Sequence, residues 1–335
     1  MYRRAELSMF RTEDLGRLDA VIQKTREGTT SLGELYYVST GAEIHGKESY
    51  TADGTLISGH SKFDLLSNTP QMGWKQYIEG SAIPKSKEWG RYCYVKTDGY
   101  LNYDNSVSIM RSPKFRELFD SEKIMIRGSS GLLYILATLD DRNIYTSHKN
   151  ILIIDKAALP NDHSDYKAHT NVTLRSLLAI LNSQLIDFYY RSVFGGFIDV
   201  YPNYLKALPI RPVTAEMEKQ LSDGVNKILS VHREYEILKQ NVLAVLQTDL
   251  RIPKLTEKLQ NWPALDWPAL LDELKKQKVG VSLTKQMDWR SFYADQRAKA
   301  LDLQTQRAAT DRQIDKLVYV LYELTETEIA LVEGS

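Results

Sequence analysis

Leu177-Leu178-Ala179-Ile180-Leu181-Asn182-Ser183-Gln184-Leu185-Ile186-Asp187-Phe188-Tyr189-Tyr190-Arg191 is the stretch on which the reading of this 335-residue chain turns. Together with Leu174, its residues Leu177, Leu178, Leu181, Leu185, Ile186 and Tyr189 recur at intervals of three and four, so one face of a 3.6-residue repeat is apolar throughout. Asn171 or Thr173 is placed to cap the start. The spacing predicts one helix of about five turns. It ends at Phe194-Gly195-Gly196-Phe197, and an extended segment runs on to Pro209-Ile210-Arg211-Pro212.

Working backward from that helix, the pattern between Leu32 and Ile154 changes to short apolar runs rich in Tyr, Val, Ile and Thr, broken by Gly, Asn, Asp and Pro. That punctuation predicts strands. The runs are Glu34-Leu35-Tyr36-Tyr37-Val38, Gly90-Arg91-Tyr92-Cys93-Tyr94-Val95, Lys123-Ile124-Met125-Ile126-Arg127, Leu132-Leu133-Tyr134-Ile135-Leu136-Ala137 and Asn150-Ile151-Leu152-Ile153-Ile154. Asp98-Gly99 and Asp140-Asp141-Arg142-Asn143 follow two of them as turn formers.

Working forward, the period stays helical. Met217, Leu221, Val225, Ile228, Val231, Tyr235, Leu238, Val242 and Val245 predict an amphipathic helix of about eight turns. A break at Ile252-Pro253 and a stretch holding Trp262-Pro263 and Trp267-Pro268 lead to Leu270-Leu271-Asp272-Glu273-Leu274-Lys275-Lys276. A second long helix is expected from about Trp289 to Tyr322, and Thr325 with Glu328 forms a capping box for a last short one. The class is therefore α+β: a lead-in helical segment over 1–31, a strand-rich domain over 32–212 and a helical region over 213–335.

Composition narrows the chemistry. With 43% apolar and 26% charged residues the chain can bury a real core. Its single cysteine, Cys93, rules out a disulfide framework and multi-cysteine metal sites, and between Tyr92 and Tyr94 it reads as a buried apolar residue. No window approaches eighteen uninterrupted apolar residues, and Met1-Tyr2-Arg3-Arg4-Ala5-Glu6 leads into charge rather than a signal core, which predicts a soluble cytoplasmic protein. Lys plus Arg equals Asp plus Glu at 43 each. Binding to a polyanion would thus depend on local patches.

Several catalytic chemistries lack their residues. Methyl transfer to a base amine from S-adenosylmethionine needs a glycine-rich turn after a strand and an Asn/Asp-Pro-Pro-aromatic loop. No two prolines are adjacent in the sequence, and Asn68-Thr69-Pro70-Gln71 has neither the second proline nor the aromatic. Glu273-Leu274-Lys275, with Asp266 or Asp272 before it, satisfies the wording of a metal-nuclease motif, but in an amphipathic helix it reads as a solvated charged face. His163, in Pro160-Asn161-Asp162-His163-Ser164-Asp165, reads as a cluster of turn residues over a metal site. No Gly-x-Ser-x-Gly occurs. The expectation is a chain with no catalytic centre of its own.

Three stretches in order resemble the TaqI-like C-terminal specificity domain of adenine-specific DNA methyltransferases and fused type IIG restriction-modification enzymes. The first runs from Ser81-Ala82-Ile83-Pro84 through Trp89-Gly90-Arg91-Tyr92 to Tyr100-Leu101-Asn102-Tyr103-Asp104. The second is Phe119-Asp120-Ser121-Glu122-Lys123-Ile124-Met125-Ile126-Arg127, with Leu136-Ala137-Thr138-Leu139-Asp140 and Ile144-Tyr145-Thr146. The third is the Leu-Asn-Ser helix itself, followed by Leu205-Lys206-Ala207-Leu208-Pro209-Ile210, and Ile314 to Ile329 is similar to the closing helices of the fused enzymes. The resemblance implies a bacterial, sequence-specific DNA recognition module that positions an adenine-N6 methyltransferase or fused nuclease on double-stranded DNA. S-adenosylmethionine would belong to that partner or missing domain, because the methyltransferase domain that precedes this region in the family has no counterpart here.

Specific binding requires cations on phosphates and bidentate groups in the major groove. Lys85, Lys87, Arg91, Lys114, Arg116, Arg127 and Lys149 lie in or beside predicted loops, interleaved with Trp89, Tyr92 and Tyr145. Lys85, Lys87 and Lys114 are the candidates for phosphates, and Arg91, Arg127 and Ser129 for positions nearer the bases; taken singly each reads more readily as a solvated surface charge, and the support lies in the set. In the loop 197–204, Tyr201 and Asn203 either face DNA or pack against the preceding helix. The long helices read as spacers, or as helices packed on one another. Two other readings stand beside the recognition module: a C-terminal fragment of a site-specific adenine methyltransferase or restriction enzyme, and an interaction scaffold without DNA binding.

Overall fold

The structure, a computed structural model, describes residues 12–46, 49–50, 56–58, 62–97, 99–108, 110–129, 131, 134–167, 172–195, 199–252, 254–281 and 283–334. Asn171, Leu132, Leu133, Asp98, Gly196, Phe197 and Pro253, and the N-terminal Met1 to Glu6, lie outside the described residues. Contacts divide the chain into two compact units, 1–225 with 314–335, and 226–313. The first helix, α1, is Thr12–Arg26.

Eight strands of the first unit form two four-stranded sheets. In chain order they are β1 (Tyr36–Thr40), β2 (Leu66–Ser67), β3 (Lys75–Ile78), β4 (Gly99–Leu101), β5 (Lys123–Arg127), β6 (Ala137–Asp140), β7 (Tyr145–Thr146) and β8 (Asn150–Asp155). The central sheet has the order β6-β5-β8-β1 and is antiparallel throughout. The smaller sheet has the order β7-β3-β4-β2, with β7 and β3 parallel.

The runs at 123–127 and 150–154 form the strands their composition predicts. Both are apolar on successive residues because the central sheet is covered on both faces. Met125, Leu152 and Ile154 share one core with Tyr103, Leu118, Phe119 and Tyr145, and within it the rings of Phe119 and Tyr145 stack at 4.4 Å. Their neighbours Ile124, Ile126, Ile151 and Ile153 alternate to the other side and are equally buried. At the register pair Lys123–Asp140 a charged pair is fully enclosed: Nζ lies 2.5 Å from Oδ2 and also donates to the Phe119 carbonyl at 2.5 Å. Burial lowers the Lys123 pKa, and the Asp140 carboxylate opposes that shift.

Several expectations need correction. The run 90–95 is not a strand. Lys87–Gly90 is a helical turn capped by Ser86, and Tyr92 has φ 54°, which breaks the extended path. The strand expected at 132–137 begins only at Ala137, and Gly99, expected in a turn, opens β4. At the first run, Leu32–Leu35 is a helical turn and the strand starts at Tyr36.

The helix that decides the fold also departs from its expected form. The single helix is two, α2 (Leu174–Asn182) and α3 (Gln184–Phe194). Ser183 adopts φ −69° and ψ 155°, donates its hydroxyl to the Ile180 carbonyl at 2.7 Å and accepts from the Ile186 N–H at 3.2 Å. A serine able to cap both ends offers the backbone an alternative to continuing the helix. Thr173 caps α2 by accepting from the Ser176 N–H. The expected extended segment after α3 holds a short helix, α4 (Pro202–Lys206), with proline in its first turn, before Pro209–Ile210 pairs with Thr30–Ser31.

Helix α5 is Ala215–Leu250, α6 is Trp267–Lys276, α7 is Leu283–Leu321 and α8 is Glu326–Glu333. Helix α5 outruns its predicted span, and α7 begins at Leu283, ahead of its predicted start at Trp289, and ends at Leu321. The capping box at Thr325 and Glu328 is formed as expected. Within the second unit the tryptophan stretch is packing. Trp262 is wholly buried, its ring lies 5.7 Å from that of Tyr293, and the Tyr293 hydroxyl donates to the Trp262 carbonyl at 2.7 Å. His232 is buried in the same unit, and desolvation, with the Arg307 charge added, pushes its pKa down to about 3. No helix among the described residues is long and apolar enough to cross a membrane.

Candidate nucleic-acid interface

The end of the central sheet where Arg127 pairs with Asn150 gathers most of the predicted site. Beyond the last rung the Gly128 N–H donates to the Lys149 carbonyl at 2.9 Å. A Cβ at Gly128 would stand 2.7 Å from that carbonyl oxygen, so only glycine permits the approach. The Gly128 carbonyl accepts the Val200 N–H at 2.9 Å, which brings the start of α4 to the same place. Gly80 lies against the Lys149 side chain, and Lys85 Nζ reaches 3.6 Å from where a Cβ of Gly131 would stand. Residues 80–85, 127–129 with Gly131, 148–149 and 199–204 thus converge from four separate parts of the chain.

Arg127 is half-buried here. Its Nη1 donates to the Ile83 carbonyl and its Nε to the Ser129 carbonyl at 3.1 Å, and burial lowers its pKa. Ser129, Lys85 and Lys149 are exposed, as are Tyr201 and Asn203. Neither Lys85 nor Lys149 forms an ion pair with the described residues, whereas Lys75, Lys87, Arg91, Arg111, Arg116, Lys123 and Arg142 each face a carboxylate. A cation not committed to an internal carboxylate is free to neutralise a phosphate.

In the described part of the loop after α3, one tyrosine packs on the preceding helix and another stays largely exposed. Tyr204 stacks on Phe194 at 5.0 Å, and Tyr201 lies edge-on to Tyr204 with 46% of its surface exposed. Asn203 points outward on the same short helix.

Other predicted members fall elsewhere. Arg91 is 4% exposed, so it does not read bases from this surface; its guanidinium donates to Asp187 and, through Nε, to the Ile135 carbonyl at 3.4 Å. Lys87 is exposed, but its ammonium lies 3.0 Å from Asp187 and 5.0 Å over the Tyr134 ring. Lys114 is half-buried beside Phe115, which packs on Tyr37 and His163. Tyr37 pairs with Ile154, four residues along β8 from Asn150, so Lys114 stands at the opposite end of the sheet, roughly 13 Å away along the strand. Tyr92 and Tyr145 are buried and Arg116 pairs with Asp104 at 2.9 Å.

Sequence reasoning missed Asn182 and Asp187. Asn182 accepts the Ala137 N–H at 3.1 Å and donates to the Ala137 carbonyl at 2.9 Å, taking the place of a neighbouring strand on the edge of β6. Asp187, buried in α3, accepts the Ile135 N–H at 3.1 Å as well as Arg91 and Lys87. The polar letters of the Leu-Asn-Ser stretch therefore fasten the helices to β6 and its entry. A buried Asn or Asp in an otherwise apolar helix was the available signal, since such groups are buried only when bonded.

The metal readings find other uses for their residues. Glu273 accepts from Thr256 at 3.0 Å and Lys276 at 3.1 Å, and Lys275 pairs with Asp272. The His163 Nδ1 accepts the Asp165 N–H at 3.1 Å within its turn. Among the described residues no group of three His, Cys, Asp or Glu side chains is placed to hold a metal ion. Cys93 is a buried free thiol.

Comparison with known proteins bears on both halves. Residues 75–210 match the TaqI-like C-terminal specificity domain, and residues 214–318 match a domain of unknown function, DUF8810. A solved structure of the Type IIL restriction-modification enzyme MmeI in complex with DNA aligns at 12% identity and a TM-score of 0.44. The alignment takes in 91% of this chain and 35% of that one, so the chain spans about a third of the length of the enzyme it matches. No curated protein matches the chain. The order of the three resembling stretches and the α+β architecture agree with the match of residues 75–210 to the TaqI-like C-terminal specificity domain.

Proposed function

We propose that this chain recognises a specific sequence in double-stranded DNA and thereby positions an adenine-N6 methyltransferase, or a fused nuclease, of a restriction-modification system. The observation that carries the reading is the convergence of Lys85, Arg127, Ser129 and Lys149, with Tyr201 and Asn203 beside them, at one end of the central sheet of a specificity domain. Lys85 and Lys149 would contact phosphates. Arg127, whose fork is already oriented by two carbonyls, and Ser129 would lie nearer the base edges. The partner would hold S-adenosylmethionine and flip the target adenine out of the helix.

Replacing Lys85 and Lys149 together by alanine tests this. Each lost phosphate contact flattens the dependence of log affinity on log salt by about 0.9, so the double variant should lose roughly 1.8 from the slope. An unchanged slope and affinity would remove this surface from DNA binding and favour the interaction-scaffold reading.

A further inference from the structure

The chain enters β8 through a four-residue turn, Ser147-His148-Lys149-Asn150, closed by the Asn150 N–H donating to the Ser147 carbonyl at 3.1 Å. Its backbone is held from two sides. Next to β1, the His148 N–H donates to the Ala42 carbonyl at 2.9 Å, and the N–H groups of Ala42 and Gly41 donate to the carbonyls of Thr146 and Asn150, each at 3.0 Å. Elsewhere the Lys149 carbonyl accepts the Gly128 N–H, and the Ser147 N–H donates to the Ile78 carbonyl at 3.4 Å. Inside the turn, Asn150 Nδ2 donates to Thr146 Oγ1 at 2.5 Å, and that hydroxyl donates to the Ile78 carbonyl at 3.2 Å; both side chains are fully buried. Three glycines permit the close fit. A Cβ at Gly41 would stand 2.3 Å from the Thr146 carbonyl oxygen, one at Gly128 2.7 Å from that of Lys149, and one at Gly80 2.8 Å from the Lys149 Cβ.

The two central side chains of this turn, His148 and Lys149, are both exposed. The His148 imidazole makes no hydrogen bond, ion pair or ring contact with a described residue. The two differ in what they can recognise. Lys149 carries a point charge on a flexible four-carbon stem, which suits a phosphate. His148 is short, and its neutral ring offers one nitrogen as donor and the other as acceptor, the two kinds of group that tell base edges apart in the major groove. A short side chain on a fixed backbone has its polar atoms placed before DNA arrives, which discrimination requires. His148 lies two residues before Asn150, the partner of Arg127, and so at the sheet end where Ser129 is also exposed. From this arrangement we infer that His148 is a specificity-determining residue that reads a base edge, while Lys149 beside it holds a phosphate. The inference rests on the DNA-recognition reading and deepens it.

The test compares the wild-type chain, His148→Ala, His148→Gln and Lys149→Ala. Each is selected against a randomised duplex pool, then titrated with the wild-type motif and a scrambled duplex at several salt concentrations. The turn is held through its backbone and buried side chains, so the His148 variants should melt with the wild-type chain. For His148→Ala the ratio of specific to scrambled affinity should fall about tenfold, the size of one lost base discrimination, with the scrambled-duplex salt slope unchanged. Its recovered motif should become degenerate at one or two adjacent positions. His148→Gln, which keeps a donor and an acceptor in a different geometry, should change the base preferred at those positions and leave the rest of the motif intact. Lys149→Ala should do the reverse, flattening the slope by about 0.9 with the motif preserved. The wild-type motif at an undiminished ratio from both His148 variants overturns the base-reading role alone. A His148→Ala slope shallower by about 0.9 with the ratio intact makes His148 a phosphate contact and overturns it too. If the wild-type chain enriches no motif, the proposed function fails and this inference fails with it.

Discussion

Arg91 shows at residue scale how one side chain changes role between sequence and structure. Beside Trp89 and Tyr92 in a basic run it reads as a groove-facing arginine, yet its partner Asp187 is 96 positions away and encloses it. No local pattern could reveal that pairing. Asn182, Asp187 and the Lys123–Asp140 pair are illegible for the same reason: a buried polar group is defined by distant partners. By contrast, Ser129, Lys85 and Lys149 were legible as surface groups because polar residues beside glycine and turn formers rarely enter a core. Removing Arg91 leaves the Asp187 carboxylate buried with Lys87 as its one remaining cationic partner among the described residues. Arg91→Ala should therefore lose about 3 kcal/mol of stability in urea denaturation. A variant as stable as wild type that loses only DNA affinity would return Arg91 to the groove.

Among the elements, the legible ones are those whose signal is local. β5 and β8 carry runs of Ile, Leu and Met flanked by polar residues, and the capping box announces α8 by two residues three apart. The break between α2 and α3 was readable only in part. The apolar period continues unbroken through Ser183, and it is the Ser183 hydroxyl, not the period, that ends one helix and starts the next. The run 90–95 failed as a strand because the positive φ at Tyr92 breaks its extended path and leaves it no ladder to join.

Helix α5 also carries a testable pH response. His232 is kept neutral in the fold down to about pH 3, while in the unfolded chain it protonates near 6.5. Between these values the unfolded state binds more protons, so stability falls as pH falls. The loss from pH 7 to pH 5 should be about 2 kcal/mol from this residue. His232→Gln should flatten that part of the pH dependence in thermal melts of the second unit. A slope unaltered by the substitution would place the acid sensitivity elsewhere.

For the whole molecule, the family match over 75–210 and the match over 214–318 fall on either side of Pro212, where the sequence changes from strand punctuation to helical period. Contacts divide it differently, with the first 11 residues of α5 and the last 8 of α7 joined to the strand-bearing unit. Sequence periodicity could not place that division, because a long helix keeps one apolar stripe whichever neighbours it meets along its length. What the strand-bearing unit displays is one sheet end with two exposed lysines that form no ion pair among the described residues, a half-buried arginine and an exposed serine, drawn together from segments up to about sixty residues apart in sequence. Whether this surface reads DNA sequence is decided by selecting the purified chain against a randomised duplex pool at two salt concentrations, with Lys85→Ala/Lys149→Ala alongside. The wild-type chain is expected to enrich one short motif containing adenine, and the double variant to bind far more weakly at the higher salt. Recovery of unenriched sequence by the wild-type chain, or the same motif and affinity from the double variant, would contradict a DNA-reading role for this sheet end.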